Sequence, residues 1–322
     1  MIYVDRYLRL TVRQPFIAGR ETENMTTSLS QTFIFDQNWK IVFRIRKNAS
    51  ATFLSFNTAE ISIYNMTSAM RQALSLPGTT VSMVAGYKDY KGAIFEGVVN
   101  NLTTVKQATE LVTTLYCSGD ATNYDKGCSI SPQNITVTQL LANICNSNGI
   151  TYKLPFSRSD VVSKSYNGTV SQVIAQICYD FAISAGLDDG VLIFKDKNVT
   201  QEQISETDAI QLTPDSGLLG NPTVTDSGMN VHAFIQPTIK VNDYFTLYAP
   251  YADYNLGNLT LRPNAVRGDN LTALAHIDTR NYNGVYMALS IIHNGDTRGN
   301  SWYTDIQGSR IWPKGQNPNA TR

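Results

Sequence analysis

Alternation of apolar and polar residues at the N-terminus narrows the choice of fold more than any other feature of this chain. Ile2, Val4, Leu8, Leu10 and Val12 fall on even positions, with Tyr3, Asp5, Tyr7, Arg9 and Thr11 between them. A period of two over this length turns one face of an extended strand into a core and the other toward solvent. Arg6 is the one polar break in the inward set. Phe33–Phe35 and Lys40–Arg46 read as a hairpin about Asp36-Gln37-Asn38, and in its second arm Ile41, Phe43 and Ile45 share a face. Ala59–Tyr64, Thr80–Ala85 and Ala93–Val99 follow as strands, with turns at Pro77-Gly78 and Gly86-Tyr87-Lys88-Asp89. Short strands at this spacing argue for a barrel or a sandwich.

The periodicity then changes. Lys106–Tyr116 is expected to be a short helix. Leu140, Leu141, Ile144 and Cys145 mark one face of a second helix, stopped near Gly149. Val170, Val173, Ile174, Ile177, Cys178 and Phe181 mark a third, with Thr169 as its N-cap and Gly186 as its C-terminal stop. Asp188-Asp189-Gly190 reads as a tight turn into the strand Val191–Phe194, and as a turn in preference to a metal loop. Strands return at Met229–Ile235, Tyr244–Tyr248 and Gly284–Ile292, where Val285, Met287, Leu289 and Ile291 alternate. Asp243 and Gly257-Asn258 punctuate this last part. The chain is therefore expected to be mainly β with an α/β part. The divisions fall at 1–105, a first β domain, 106–200, an α/β insertion, 201–312, a second β domain, and 313–322, a flexible tail.

Composition removes several functional classes. Charged residues make up 16% of the chain, well below the usual share of about 25%, and 27 Asn, 33 Thr and 24 Ser supply the polarity instead. Lys plus Arg equals Asp plus Glu at 26 each, which gives no support for a nucleic-acid binder. Residues 1–110 carry net +4, residues 111–200 net −1 and residues 201–322 net −3. At a Debye length of about 8 Å such a bias steers association more than it holds it. No apolar run reaches the roughly 18 residues of a membrane helix, and the charged, alternating N-terminus is not a signal peptide.

Chemistry-bearing sets are absent in the same way. His232 reads as an ordinary strand residue, His276 sits among apolar neighbours and His293 ends a strand. No metalloprotease, nucleophile-elbow or P-loop spacing occurs. After residue 110 the only glutamates are Glu202 and Glu206, so no paired-carboxylate set for glycoside hydrolysis is offered. Cys117 and Cys128 bracket a polar loop that a disulfide could close, although the free form is the simpler expectation. Cys145 and Cys178 lie on apolar helix faces as reduced core residues. No enzyme activity, cofactor or metal is expected. Ten N-x-[ST] sequons, against about five by chance, keep a secreted or surface β-rich glycan-binding or adhesin module as the alternative. Against that, several of these asparagines sit where Asn makes turns and caps.

Three stretches carry a resemblance. The first is Ala59-Glu60-Ile61-Ser62-Ile63-Tyr64-Asn65-Met66-Thr67, followed by Gly78–Tyr87 and Gly92–Gly97. The second is the two-helix unit around Thr138–Ile150 and Asn167–Phe194. The third is Leu212-Thr213-Pro214-Asp215-Ser216-Gly217-Leu218-Leu219-Gly220-Asn221-Pro222, completed by His293-Asn294-Gly295-Asp296-Thr297-Arg298-Gly299-Asn300-Ser301-Trp302. In order and spacing this series resembles the baseplate hub proteins of contractile-tailed bacteriophages.

The resemblance implies a homotrimer in the virion, made in the bacterial host cytoplasm. Each subunit would contribute two tail-tube-like β-barrel domains to a pseudo-sixfold ring around a DNA channel. The implied partners are the hexameric tail tube protein, the trimeric spike protein and the baseplate wedge proteins, with the tape-measure C-terminus a further candidate. DNA would pass without sequence-specific binding. The family is not defined by catalytic residues, and the lysozyme fused to some relatives is not recognisable in this sequence. Tyr64-Asn65 and Gly86-Tyr87 are expected to shape barrel corners by turn logic. Gly217, Pro222 and Asp296 fall in the loops of the third stretch. Trp302 is expected to pack against the second barrel, with Trp312 near the domain exit, or both are plain core aromatics.

Overall fold

The computed structural model describes residues 5–15, 31–50, 56–205, 209–225, 228–254 and 282–314. The first half comprises β1 (Arg6–Arg13), β2 (Thr32–Asp36), β3 (Ile41–Ser50), β4 (Thr58–Tyr64), α1 (Ser68–Leu74), β5 (Thr80–Tyr87), β6 (Tyr90–Gln107) and β7 (Glu110–Ser118). Antiparallel pairing runs β2–β1–β5–β6–β7–β4–β3. Period-two alternation sends Leu8, Leu10 and Val12 of β1, Ile41, Phe43 and Ile45 of β3, and Ile61 and Ile63 of β4 into one core.

Two expectations change in this half. Asp36–Asn38 does form a turn, with the Asn38 amide donating to Asp36 Oδ1 at 2.9 Å, but its two arms form no ladder with each other. β2 pairs β1 instead, setting Leu10 opposite Phe35 and Val12 opposite Phe33, while β3 lies at the far end of the run. The turn thus spans an opening, and the described strands form an open curled sheet, not a closed barrel. Lys106–Tyr116 is not a helix: it is the tip and second arm of the β6–β7 hairpin, turning at Ala108 with φ +52°. Val112, Thr113, Thr114 and Tyr116 suit a pleated surface, and β4 on the far side of β7 fixes that choice. β6 therefore crosses residue 105, and the first sheet ends at Ser118.

The middle of the chain holds β8 (Gly127–Ile130), β9 (Ile135–Thr136), α2 (Val137–Ser147), β10 (Tyr152–Lys153), β11 (Val161–Val162), β12 (Tyr166–Thr169), α3 (Val170–Asp180), β13 (Ile183–Asp188) and β14 (Val191–Asp196). Thr136 with Gln139, and Thr169 with Gln172, form reciprocal capping boxes that satisfy the first free amides of α2 and α3. Both helices bury the apolar faces read from their spacing, and Gly149 follows α2 with φ +66°. α3 ends at Asp180, six residues before Gly186. Gly186 lies inside β13, where a Cβ would stand 2.8 Å from Val241 Cγ1, so it permits close approach and does not stop the helix. Asp189 and Gly190, both at positive φ, make the β13–β14 turn.

The second half comprises β15 (Ala209–Leu212), β16 (Thr223–Thr225), β17 (Gly228–Phe234), β18 (Tyr244–Leu247), β19 (Asp253–Tyr254), β20 (Gly284–Asp296) and β21 (Trp302–Arg310). Gly257-Asn258 and His276 lie outside the described residues. β20 does not alternate evenly. A bulge between Ala288 and Ser290 shifts its phase, so Val285, Met287 and Leu289 face a small cluster with Ala209, Tyr244 and Ile311. Tyr286, Ala288 and Ile291 face the main core instead. One extra residue is what moves Ile291 to the opposite side from Leu289.

The halves share a chain order of pairings. β3–β4 and β16–β17 are antiparallel neighbours; β4–β7 and β17–β21 pair next. β6–β7 and β20–β21 are the long hairpins, and β5 and β18 pair the first parts of β6 and β20. The correspondence stops at the outermost strands, because β1 runs antiparallel to β5 whereas β15 runs parallel to β18. β3 pairs β20 and fuses the two sheets into one. No helix among the described residues is long and apolar enough to cross a membrane.

Candidate functional site

The functional candidate is the joint between the halves, since the described residues contain no cluster of His, Cys, Asp and Glu that could hold a metal ion. Its spine is the β3–β20 ladder, from Val42 opposite Asp296 to Asn48 opposite Ser290, where Ser290 Oγ donates to Asn48 Oδ1 at 2.7 Å. Both ends of this ladder are fastened by side chains.

At the hairpin tip, Trp302 leaves the second half and enters the first core. Its ring meets Phe43 edge to face at 5.6 Å, and its indole N–H donates to the Gly86 carbonyl at 3.1 Å. The expectation that it packs against the second barrel is corrected: it is a core aromatic, as the other reading had it, but of the first half. β21 begins beyond the reach of its own core, and its first residue lies against Phe43 of β3 and Gly86 of β5. Arg6 lies over the indole at 5.4 Å and donates to the carbonyls of Asp296 and Gly299. This explains the break that Arg6 makes in the alternation of β1. Thr297 returns the contact by donating its amide to Ile41 O at 3.0 Å and its hydroxyl to Trp39 O at 2.7 Å. Gly295 is required here, because a Cβ would fall 2.2 Å from the Phe43 ring.

At the other end, three parts of the chain meet in a buried ionic cluster. Lys47 of β3 and Lys240, ahead of β18, both reach Asp188 at the end of β13; the Lys240 distance is 2.6 Å. Asp189 lies 3.3 Å from Lys47 and 3.6 Å from Lys240. Burial alone would raise the Asp188 carboxyl, but the two ammonium groups outweigh it, and the carboxyl sits below its ordinary value. His293, fully buried beside them, is pushed down to about 3 by burial and then by the Lys47 charge, so it is a neutral imidazole bonded to Thr304 at 2.9 Å. Asn242 completes the seam, donating to Ile193 O at 3.1 Å and accepting from Ser184 Oγ at 2.7 Å.

The residues singled out from sequence divide between this joint and other places. Gly86, Tyr87, Asp296 and Trp302 come together at the tip; Gly86 has φ +143°, and Tyr87 meets Phe234 edge to face at 5.8 Å. Tyr64 and Asn65 lie apart, at the end of β4. There Lys40 stands 4.0 Å from the Tyr64 ring, and Asn65, at φ +58°, exchanges bonds with the Leu111 backbone. Gly217, at φ +109°, accepts the Phe234 amide, and buried Pro222 accepts that of Asp253. Trp312 stacks with Arg310 at 4.4 Å. Cys117 and Cys128 are not bridged; all four cysteines are free, Cys117 in the first core and Cys128 beside the middle one. The ionic cluster escaped the sequence reading, yet it carries a signal: Lys47 occupies the inward phase set by Ile41, Phe43 and Ile45, where a charge needs a partner.

This fold is that of phage-tail proteins. The tail protein from Neisseria meningitidis MC58 superposes with a TM-score of 0.52 at 10% identity, covering 95% of this chain and 98% of that one. The prophage MuSo2 43 kDa tail protein from Shewanella oneidensis gives 0.54 at 8% identity, covering 94% and 97%. No curated protein matches. A family model described as baseplate hub gp41 matches residues 23–250, and the chain belongs to that family of phage baseplate proteins. It is accordingly a structural component of a phage tail, as the resemblance implied.

Proposed function

We propose that the chain is a non-enzymatic, homotrimeric hub that joins the hexameric tail tube to the trimeric spike and surrounds the channel through which DNA leaves. The observation that carries this reading is the repeat: one strand order occurs twice in the chain, and the two occurrences are joined edge to edge by β3 and β20. Three copies then present six similar units, which suits a sixfold partner on one side and a threefold partner on the other. In this reading each unit is a tube-like domain, and the middle segment with α2 and α3 is an insertion between them. The tail tube, spike and wedge proteins are its neighbours, with the tape-measure C-terminus a further one.

The sheet face opposite the cores runs unbroken across β4, β3, β20, β21 and β17, which makes it the natural wall of the channel. It carries Glu60, Arg44, Arg46, Asp305 and His232, so both signs are interspersed along it. A wall of one positive sign would hold phosphates; a mixed wall lets DNA slide. Sedimentation of the purified chain tests the reading. Three times 35.6 kDa supports the hub, whereas a 35.6 kDa monomer that retains glycans supports a secreted binding module.

A further inference from the structure

The repeat leaves one edge without its counterpart. In the second half, β20 pairs β18 through Gly284–Met287, bulges at Leu289, and beyond the bulge pairs β3 along the same edge. β6 occupies the place of β20 in the first half. It pairs β5 through Tyr90–Val98 and bulges at Asn100. Beyond that bulge, Asn101–Gln107 pairs only β7 among the described residues. The Leu102 amide is taken up by the neighbouring Asn101 side chain at 2.8 Å, and no strand among the described residues accepts it. By the alternation of the ladder, Leu102, Thr104 and Lys106 turn their backbone groups away from β7. The segment is exposed from Thr103 to Gln107, with Val105 at 55%, and its only guard against strand addition is Lys106.

Resting on the ring reading above, we propose that the free edge of Asn101–Gln107 docks on a second copy of this chain, at the end of the sheet formed by β16 and β19. The intrachain joint pairs the β3 edge of the first half with the β20 edge of the second. By the repeat, the counterparts of those two edges are β6 beyond its bulge in the first half and, in the position of β3, β16 in the second; β2 and β15 end the other sides of the two runs. The outer side of β16 already carries the two residues of β19, so Asp253 and Tyr254 form the outermost strand among the described residues. The approach to β19 carries Tyr248 and Tyr251, 64% and 72% exposed, which is aromatic surface that an edge of Thr and Val side chains can cover. In the trimer proposed above, alternating the two joints closes the ring.

Two changes test this. Thr104→Pro removes an amide that faces away from β7, so the fold keeps its backbone ladder and gives up only the Thr104–Thr113 hydroxyl contact at 3.2 Å, while the edge loses a donor and gains a blocking ring. Its circular dichroism and melting should match wild type, and its trimer dissociation constant should rise by roughly a hundredfold or more. In the second arm, made in a Cys128→Ser background, cysteine is placed at Leu102, Thr104 or Lys106 in turn together with Asp253→Cys. At least one pair should form cross-links between copies on mild oxidation. If Thr104→Pro does not fold, this arm decides. A wild-type trimer in which Thr104→Pro assembles normally and none of the pairs cross-links overturns the docking edge but leaves the ring standing. A wild-type chain that stays at 35.6 kDa at every concentration overturns the ring and this proposal with it.

Discussion

The two fastenings of the β3–β20 joint do the same work with opposite chemistry. At the tip, an indole fills a hole in an apolar core and makes one hydrogen bond. At the base, Lys47 and Asp188 are taken out of water together, with Asp189 mostly buried and Lys240 partly exposed beside them. Burying an indole is favourable in itself, whereas burying charges returns little beyond their desolvation cost unless every partner stays. The tip is thus the source of adhesion between the halves. The base ties the three parts together: Lys47 comes from the first half, Asp188 from the middle and Lys240 from the second.

Trp302→Ala should be the most damaging change, costing about 3–5 kcal/mol, because it empties part of the first core and frees the hairpin tip. Chemical denaturation would measure it, and a loss near zero would remove the tip as the adhesive end. Asp188→Ala should follow at about 3 kcal/mol, since it leaves Lys47 buried with only Asp189 beside it. Pairing Asp188→Leu with Lys47→Met should restore most of that loss, as Lys240 is partly exposed and keeps Asp189. No restoration would mean that the charges contribute adhesion after all.

Acid should then separate the ends. His293 is held neutral in the fold, so the unfolded chain binds a proton that the folded one refuses once the pH falls below about 6.5. Asp188, held below its ordinary value, adds its own loss as the pH falls further, through its unfolded value and then its folded one. Stability should fall as the pH drops from 6.5 toward 3, and His293→Leu should flatten the upper part of that fall. A Trp302→Ala chain should keep the same pH slope as wild type. Thr169→Ala, far from both ends, should cost only about 1 kcal/mol through the lost cap of α3 and leave assembly unchanged.

Where a face is set by one strand or one helix, it was legible in the sequence. Leu8, Leu10 and Val12 turn inward as their spacing requires, and α2 and α3 bury the faces their periodicity marks. What depended on a distant strand was not. Lys106–Tyr116 is a hairpin arm because β4 lies beside it, and nothing local to those residues records β4. The bulge at Leu289 splits an alternation that reads as continuous, because the extra residue is accommodated by β21. Trp302 is a core aromatic, but of the first half, for the same reason: a hairpin that crosses between units carries its tip into a core formed mainly by residues more than two hundred positions earlier. Arg6 and Lys47 were the readable traces of that crossing, each a charge in an inward phase, one at either end of the joint.

Rotationally analysed electron micrographs of the purified assembly test the central claim most directly. The account predicts a ring with a central hole and six lobes of two alternating kinds, threefold in strict symmetry and close to sixfold in outline. Three lobes without a hole, or a particle with no rotational symmetry, would contradict it.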